Sequence, residues 1–244
     1  MTTFVLIHGA WLTPLCWGRF EEYLSDRSHT ILAPAWPGHD RSVEKISDDP
    51  APITGLSLGQ IVDHYATFIE KLREPPVLIG HSTGGLVVQL LLDRGLGAAG
   101  VALDPAPAKG ISLPRSTLKA VWPVLSNPLN WNRAVMLSSD QFQFGFVNTW
   151  PEDNAREAYN RYAVPETGRI FFQAGTAALT PSAASTVDFA NDDRAPLLLV
   201  AGEKDNTCPP STTREAADKY ERGDAVTHFH EVDGRPHLLM VGEG

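Results

Sequence analysis

The stretch Val77-Leu78-Ile79-Gly80-His81-Ser82-Thr83-Gly84-Gly85-Leu86-Val87-Val88 decides the reading of this chain. A short apolar run of strand length enters a Gly-x-Ser-x-Gly turn, and an apolar run of helical character leaves it. In that setting Gly80 and Gly84 let strand and helix approach without a Cβ clash, while the turn forces the serine into a strained backbone conformation. Ser82 is then expected at the tip, its hydroxyl exposed above a sheet. A tight turn built from glycines and a serine is the plainer alternative. The apolar flanks on both sides favour a nucleophile.

Working outward, strands are predicted at 3–8 and 30–33, with a helix at 17–24 between them. Residues 40–55 read as a polar, proline-containing loop. Leu58, Ile61, Val62, Tyr65, Ile69 and Leu72 recur at helical spacing, and Pro75-Pro76 closes that helix. Beyond the turn, a helix over 83–93 is punctuated by Gly95 and Gly97, and a strand over 100–104 ends at Asp104. From 105 to 195 the alternation stops, and prolines and aromatics scatter through the stretch, among them Trp122, Phe142 and Phe146. Alternation resumes with a strand at 196–201, a helix at 211–221 and a strand near 225–232. The expected architecture is therefore α/β: a core formed by 1–104 and 196–244, interrupted by a mainly helical insertion at 105–195. Strands separated by helices imply a mostly parallel sheet covered on both faces, whose chemistry gathers at the carboxyl ends of the strands. His8-Gly9, Ser82, Asp104 and Asp205 all fall there.

A serine hydroxyl needs a base within hydrogen-bond reach, and the base needs an orienting acceptor. His237, in a loop after the last strand, is the best base. Asp205, directly after the 196–201 strand, is the best acid, with Asp104 as its competitor. An acyl-transfer site also needs donors for an oxyanion. The Thr83 N–H at the start of a helix is one candidate; Ala10 N–H, in the His8-Gly9-Ala10-Trp11 turn, is the second, with Trp11 N–H as fallback. His81 reads as a packed residue beside the serine. His228 and His230 share one face of a strand, a spacing that could ligate a metal, but no carboxylate or cysteine cluster supports such a site and none is expected.

With those residues in view, the chain resembles the α/β-hydrolase superfamily, specifically its small, cofactor-free, esterase-like branch with a cap domain. The matching pieces are His8-Gly9-Ala10-Trp11, Gly80-His81-Ser82-Thr83-Gly84-Gly85, the Asp205 loop and the His237 loop. The order Ser82, Asp205, His237 is that of the family. The resemblance implies Ser82 as nucleophile, His237 as base, Asp205 as acid, Ala10 and Thr83 as oxyanion donors, and no cofactor. Two departures stand out. The family's first antiparallel strands are missing, and the sequence stops seven residues after His237, where family members continue into a closing helix. That helix is expected to be vestigial or cut off.

Composition narrows the partners. A net charge of −9 without any Lys/Arg-rich run argues against nucleic acid and anionic membrane. No stretch is apolar enough for a membrane span, and the apolar run near Met1 lacks the basic region of a secretory signal, so a cytoplasmic enzyme is expected. Cys16 and Cys208 make no disulfide framework. The expected function is hydrolysis of a small, uncharged carboxylic ester, lactone or thioester. The aromatic-rich insertion would supply an apolar pocket, with Trp11, Trp122, Phe142 and Phe146 as lining candidates. Serine at the turn excludes the aspartate-nucleophile relatives. Carbon–carbon hydrolysis, hydroxynitrile-lyase-like chemistry and a non-catalytic small-molecule binder are the alternatives.

Overall fold

The structure is a computed structural model that describes residues 1–242. Its strands are β1 (Thr3–Ile7), β2 (Thr30–Leu32), β3 (Val77–His81), β4 (Ala99–Leu103), β5 (Ala134–Val135), β6 (Glu166–Thr167), β7 (Leu197–Gly202) and β8 (Thr227–Val232). Its α-helices are α1 (Gly18–Ser25), α2 (Val43–Asp48), α3 (Leu58–Ile69), α4 (Thr83–Asp93), α5 (Arg115–Leu125), α6 (Ser139–Phe146), α7 (Glu152–Tyr162), α8 (Arg169–Thr176) and α9 (Pro210–Tyr220).

Six strands form one sheet in the order β2-β1-β3-β4-β7-β8, and every neighbouring pair in it is parallel. The chain steps outward from β1 to β2, then crosses back to lay β3 on the other side of β1. That reversal opens a crevice at the carboxyl ends of β1 and β3, where open parallel sheets bind their ligands. Register sharpens the point. Ile7 pairs with Gly80, so the chain leaving β1 as His8-Gly9 runs beside His81-Ser82.

The helix after β3 explains the glycines of the turn. A Cβ on Gly80 would lie 2.1 Å from Gly84 O, and one on Gly84 would lie 2.2 Å from Ile7 O. Neither distance is compatible with a side chain, so only glycine lets α4 pack this tightly on β1 and β3. Residues Thr83 to Leu92 of α4 are all buried. A helix that is apolar all round belongs in the middle of a core, and its mean composition had no polar face to offer solvent.

Helix α3 shows how local sequence sets an element. Ser57 and Gln60 form a capping box, with Gln60 N–H donating to Ser57 Oγ at 3.3 Å and Ser57 N–H to Gln60 Oε1 at 3.0 Å. Leu58, Ile61, Val62, Tyr65 and Ile69 then face the core. The helix stops before Leu72, which sits in the following turn. The 40–55 stretch is not a plain loop, as expected above. It holds α2, opened by Ser42, whose Oγ accepts from Lys45 N–H. Ile46 of α2 forms a small core with Ile53 and Val164, out of reach of the main one.

The 105–195 segment carries α5 to α8 and one antiparallel ribbon, β5–β6, so it is helical with a small β element. No helix among the described residues is long and apolar enough to cross a membrane.

Candidate active site

Strain collects at the carboxyl rim of the sheet. Four non-glycine residues among those described have positive φ, and three of them sit just past strand ends: Trp11 at 61°, Ser82 at 54° and Asp104 at 44°. Such conformations cost on the order of 1–3 kcal/mol each and persist only where surrounding contacts impose them. For Ser82 those contacts are backbone bonds. Its N–H donates to Leu103 O at 2.9 Å, and its carbonyl accepts from Leu86 and Ala106 N–H at 3.1 and 2.9 Å. The serine is thereby presented at the start of α4, 6 % exposed, at the floor of a cavity.

His237 and Asp205 come from loops after β8 and β7. Asp205 Oδ2 lies 2.6 Å from His237 Nδ1, and both side chains are fully buried. The other carboxylate oxygen, Oδ1, accepts from Thr207 and Cys208 N–H at 2.6 and 2.9 Å. With Nδ1 donating to Asp205, the neutral ring keeps its lone pair on Nε2. That Nε2 is buried without a hydrogen-bond partner, the Ser82 hydroxyl included. The loop is held in place by His81, whose Nε2–H donates to His237 O at 2.8 Å, and by the edge of the Phe146 ring, 5.1 Å from the imidazole. Burial first, then the neighbouring His237, holds the His81 pKa well below the usual histidine range.

Asp104 occupies a different position. It is fully buried at the end of β4, and its Oδ1 accepts Gly202 N–H at 2.7 Å while Oδ2 has no partner. Burial raises its pKa well above the usual carboxylate range, and the adjacent Asp205 raises it further. The histidine is therefore paired with Asp205, and Asp104 lies beside that pair, tied to Gly202 N–H.

The turn after β1 is set by His8. Trp36 N–H donates to His8 Nε2 at 3.2 Å, which leaves the proton on Nδ1, and Nδ1–H donates to Gly9 O at 2.9 Å. In a trans peptide the carbonyl and the next N–H point opposite ways. Fixing Gly9 O toward His8 thus turns Ala10 N–H away from it, and Ala10 lines the cavity with Ser82 and Thr83. Thr83 is the first residue of α4, where helix amides have no partner within the helix. The fallback donor fails on geometry. Trp11 N–H donates to Glu166 Oε2 at 3.2 Å and is already committed.

The cavity above Ser82 measures about 80 Å³, and no charged side chain lines it. Of the four aromatic candidates only Trp11 faces it; its ring stacks on Phe171 at 4.3 Å. Trp122 does not. It lies on α5, where Leu118, Val121 and Leu125 face the cavity at helical spacing, and the next position along, Trp122, is turned outward and 62 % exposed. Phe142 and Phe146 are one turn apart on α6, stack at 4.6 Å and are buried as core behind His237 rather than as cavity lining. His228 and His230 are exposed on the edge strand β8.

Sequence reasoning missed Cys208. Its thiol lies within 4.8 Å of Asp205 and His237 ligand atoms and lines the cavity with Ser82. Burial, then the neighbouring Asp205 and Asp104, push its pKa well above the usual thiol range, although the Ser82 hydroxyl pulls it down. The signal was its place three residues after Asp205. The trios Asp205–Cys208–His237 and His81–Asp104–His237 have the ligand types of a metal site. Asp205 Oδ1 is filled by two amides, however, and its Oδ2 is spent on His237, so the chemistry of this donor set is that of a hydrogen-bonded acid–base pair.

Comparison with known proteins bears on the fold and the family. No curated protein matches the sequence significantly. Among solved structures, an extracellular alpha/beta-hydrolase from a Paenibacillus species, described as sharing homology with tobacco salicylic acid binding protein 2, superposes with a TM-score of 0.67 at 23% identity, over 98% of this chain and 92% of that one. A monoacylglycerol lipase from Paleococcus ferrophilus gives 0.64 at 22% identity, over 96% and 85%. The methylesterase MES16 from Arabidopsis gives 0.68 at 14% identity, over 98% and 92%. At these identities the likeness is one of fold. The sequence itself matches the alpha/beta hydrolase family across residues 4–243, and the chain belongs to that family.

Proposed function

We propose that the protein is a serine hydrolase that cleaves a small, uncharged carboxylic ester through an acyl-enzyme on Ser82. The observation that carries this reading is the convergence on one apolar cavity of a strained serine and two backbone donors, beside a histidine whose Nε2 has no partner and whose Nδ1 is tied to a carboxylate. Esterases and lipases among the structural neighbours are consistent with it.

In this mechanism the Ser82 side chain turns to His237, whose Nε2 takes the hydroxyl proton as Oγ bonds to the carbonyl carbon. The carbonyl electron pair moves onto oxygen, which Ala10 and Thr83 N–H stabilise. Collapse breaks the bond to the alcohol oxygen, and the imidazolium Nε2–H protonates it. Water then repeats the cycle on the acyl-enzyme and releases the acid. Asp205 holds the Nδ1–H and stabilises the imidazolium without taking the proton. Cys208 borders the acyl subsite. The 105–195 segment acts as the cap, with α5 and α8 supplying the apolar wall that selects a neutral acyl or alcohol group.

The test is turnover of a chain-length series of p-nitrophenyl esters, run beside lactones, cyanohydrins and β-diketones. Ester turnover that disappears in Ser82→Ala supports the reading. Activity confined to cyanohydrins or β-diketones contradicts it.

A further inference from the structure

Trp11 is held by the 105–195 segment through both of its backbone groups, its indole N–H and its ring. Its N–H donates to Glu166 Oε2 at 3.2 Å, and its carbonyl accepts Val164 N–H at 3.0 Å. Its indole Nε1–H donates to Val135 O at 3.0 Å, and its ring lies on Phe171. These partners belong to or flank the β5–β6 ribbon and α8. Trp11 directly follows Ala10 and has a left-handed φ of 61°, a conformation that an indole side chain does not adopt unassisted.

Glu166 is the polar centre of this clamp. It is fully buried, and its Oε1 accepts its own neighbour's amide, Thr167 N–H, at 2.7 Å. His39 Nε2 stands 3.2 Å from Oε2, at ion-pair length but without hydrogen-bond alignment. The His39 ring in turn lies 5.4 Å from that of His8, the residue that orients the Gly9–Ala10 peptide from the other side. A buried carboxyl far along the chain thus takes the amide next to the oxyanion donor. That has two consequences. It removes Trp11 N–H from competition for the oxyanion, and it fixes the plane of the Ala10–Trp11 peptide.

We propose that Glu166 is a positioning residue for the oxyanion loop: by binding Trp11 N–H it keeps Ala10 N–H directed at the carbonyl carried by Ser82. The ribbon of the 105–195 segment is then part of the catalytic apparatus as well as a wall of the pocket. The inference rests on the serine-hydrolase reading above.

The experiment compares wild type with Glu166→Leu, which removes the acceptor, and Glu166→Gln, which keeps a carbonyl oxygen at the same reach. Displacement of an oxyanion donor by about 1 Å costs on the order of 10²-fold in rate. In Glu166→Leu, kcat on a p-nitrophenyl ester is expected to fall on that order while KM stays within about two-fold. Inhibition by phenylboronic acid, which mimics the tetrahedral state, should weaken in parallel. Glu166→Gln should recover most of the lost kcat. If Glu166→Leu does not fold, Glu166→Asp, whose oxygens sit one methylene short, must show the same loss in kcat. A folded Glu166→Leu or Glu166→Asp with wild-type kcat overturns the assignment, and so does a Gln variant as impaired as the Leu variant. A wild-type protein that turns over no ester overturns the functional reading and this assignment with it.

Discussion

Asp104 and Asp205 are two strand-end aspartates that take different parts in the folded protein. Chain order favours Asp205 as the triad acid and leaves Asp104 as its competitor, without separating the two by any contact. The structure does so through hydrogen bonds: Asp205 faces Nδ1 of His237, and Asp104 faces Gly202 N–H. Burial and Asp205 raise the folded pKa of Asp104 above its ordinary 3.8. Between 3.8 and its folded value, the native state therefore binds a proton that the unfolded state has lost, and Asp104 makes stability fall as pH rises. Asp104→Asn removes that slope. Urea unfolding from about pH 4 to 6.5 should show the variant's stability rising with pH more steeply than wild type, by up to about 1.4 kcal/mol per pH unit. Parallel curves would mean that Asp104 is ionised in the folded protein. Ser82, His237, Asp205 and the Ala10 turn were legible because each is a short motif at a strand end. Cys208, Glu166 and His39 were not, because their roles depend on contacts between residues far apart in the chain.

At the scale of the element, α5 shows where composition misleads. Aromatic content pointed to Trp122, whereas spacing would have pointed to Leu118, Val121 and Leu125, a stripe at helical period that faces the cavity. Trp122→Ala should leave kcat/KM on short and long acyl esters within about two-fold, since the side chain is mostly exposed. Val121→Trp, by contrast, fills space in a cavity of about 80 Å³ and should abolish turnover of the longer acyl esters first. A chain-length series on both variants checks this; the reverse pattern would place substrate on the outer face of α5. Elements with strong periodicity or flanking signals, such as α3, α4 and β7, formed within a few residues of expectation. Helix α2 did not register because six residues span too few turns for a period, and its main core contact is the single residue Ile46. The β5–β6 ribbon did not register because two-residue strands carry no alternation at all.

Across the whole molecule, the buried histidines set the acid limit. Desolvation holds His8 and His81 well below their ordinary 6.5, so both are neutral in the folded state. Unfolding lets them take up protons below 6.5, and the stability present above that value is lost as pH falls through it. A thermal-melting series should show Tm dropping below about pH 6.5, and the drop should be shallower in His81→Gln. A Tm independent of pH between 4 and 7 would contradict buried neutral histidines. The fold itself was readable at this scale from the alternation of strands and helices, and the parallel order β2-β1-β3-β4-β7-β8 brings its motifs to one rim. The packing of 105–195 onto that rim was not readable, since it rests on Glu166, Phe171 and Val164 meeting Trp11 across about 150 residues of chain.

Everything proposed for this site requires Ser82 to be an activated nucleophile. That is tested most directly by intact-mass and peptide-mapping analysis after exposure to a fluorophosphonate. One covalent adduct per chain is expected, located on Ser82, formed rapidly by wild type, absent from Ser82→Ala and strongly slowed in His237→Ala. No adduct on the folded wild-type protein, or an adduct on another residue that persists in Ser82→Ala, would contradict it.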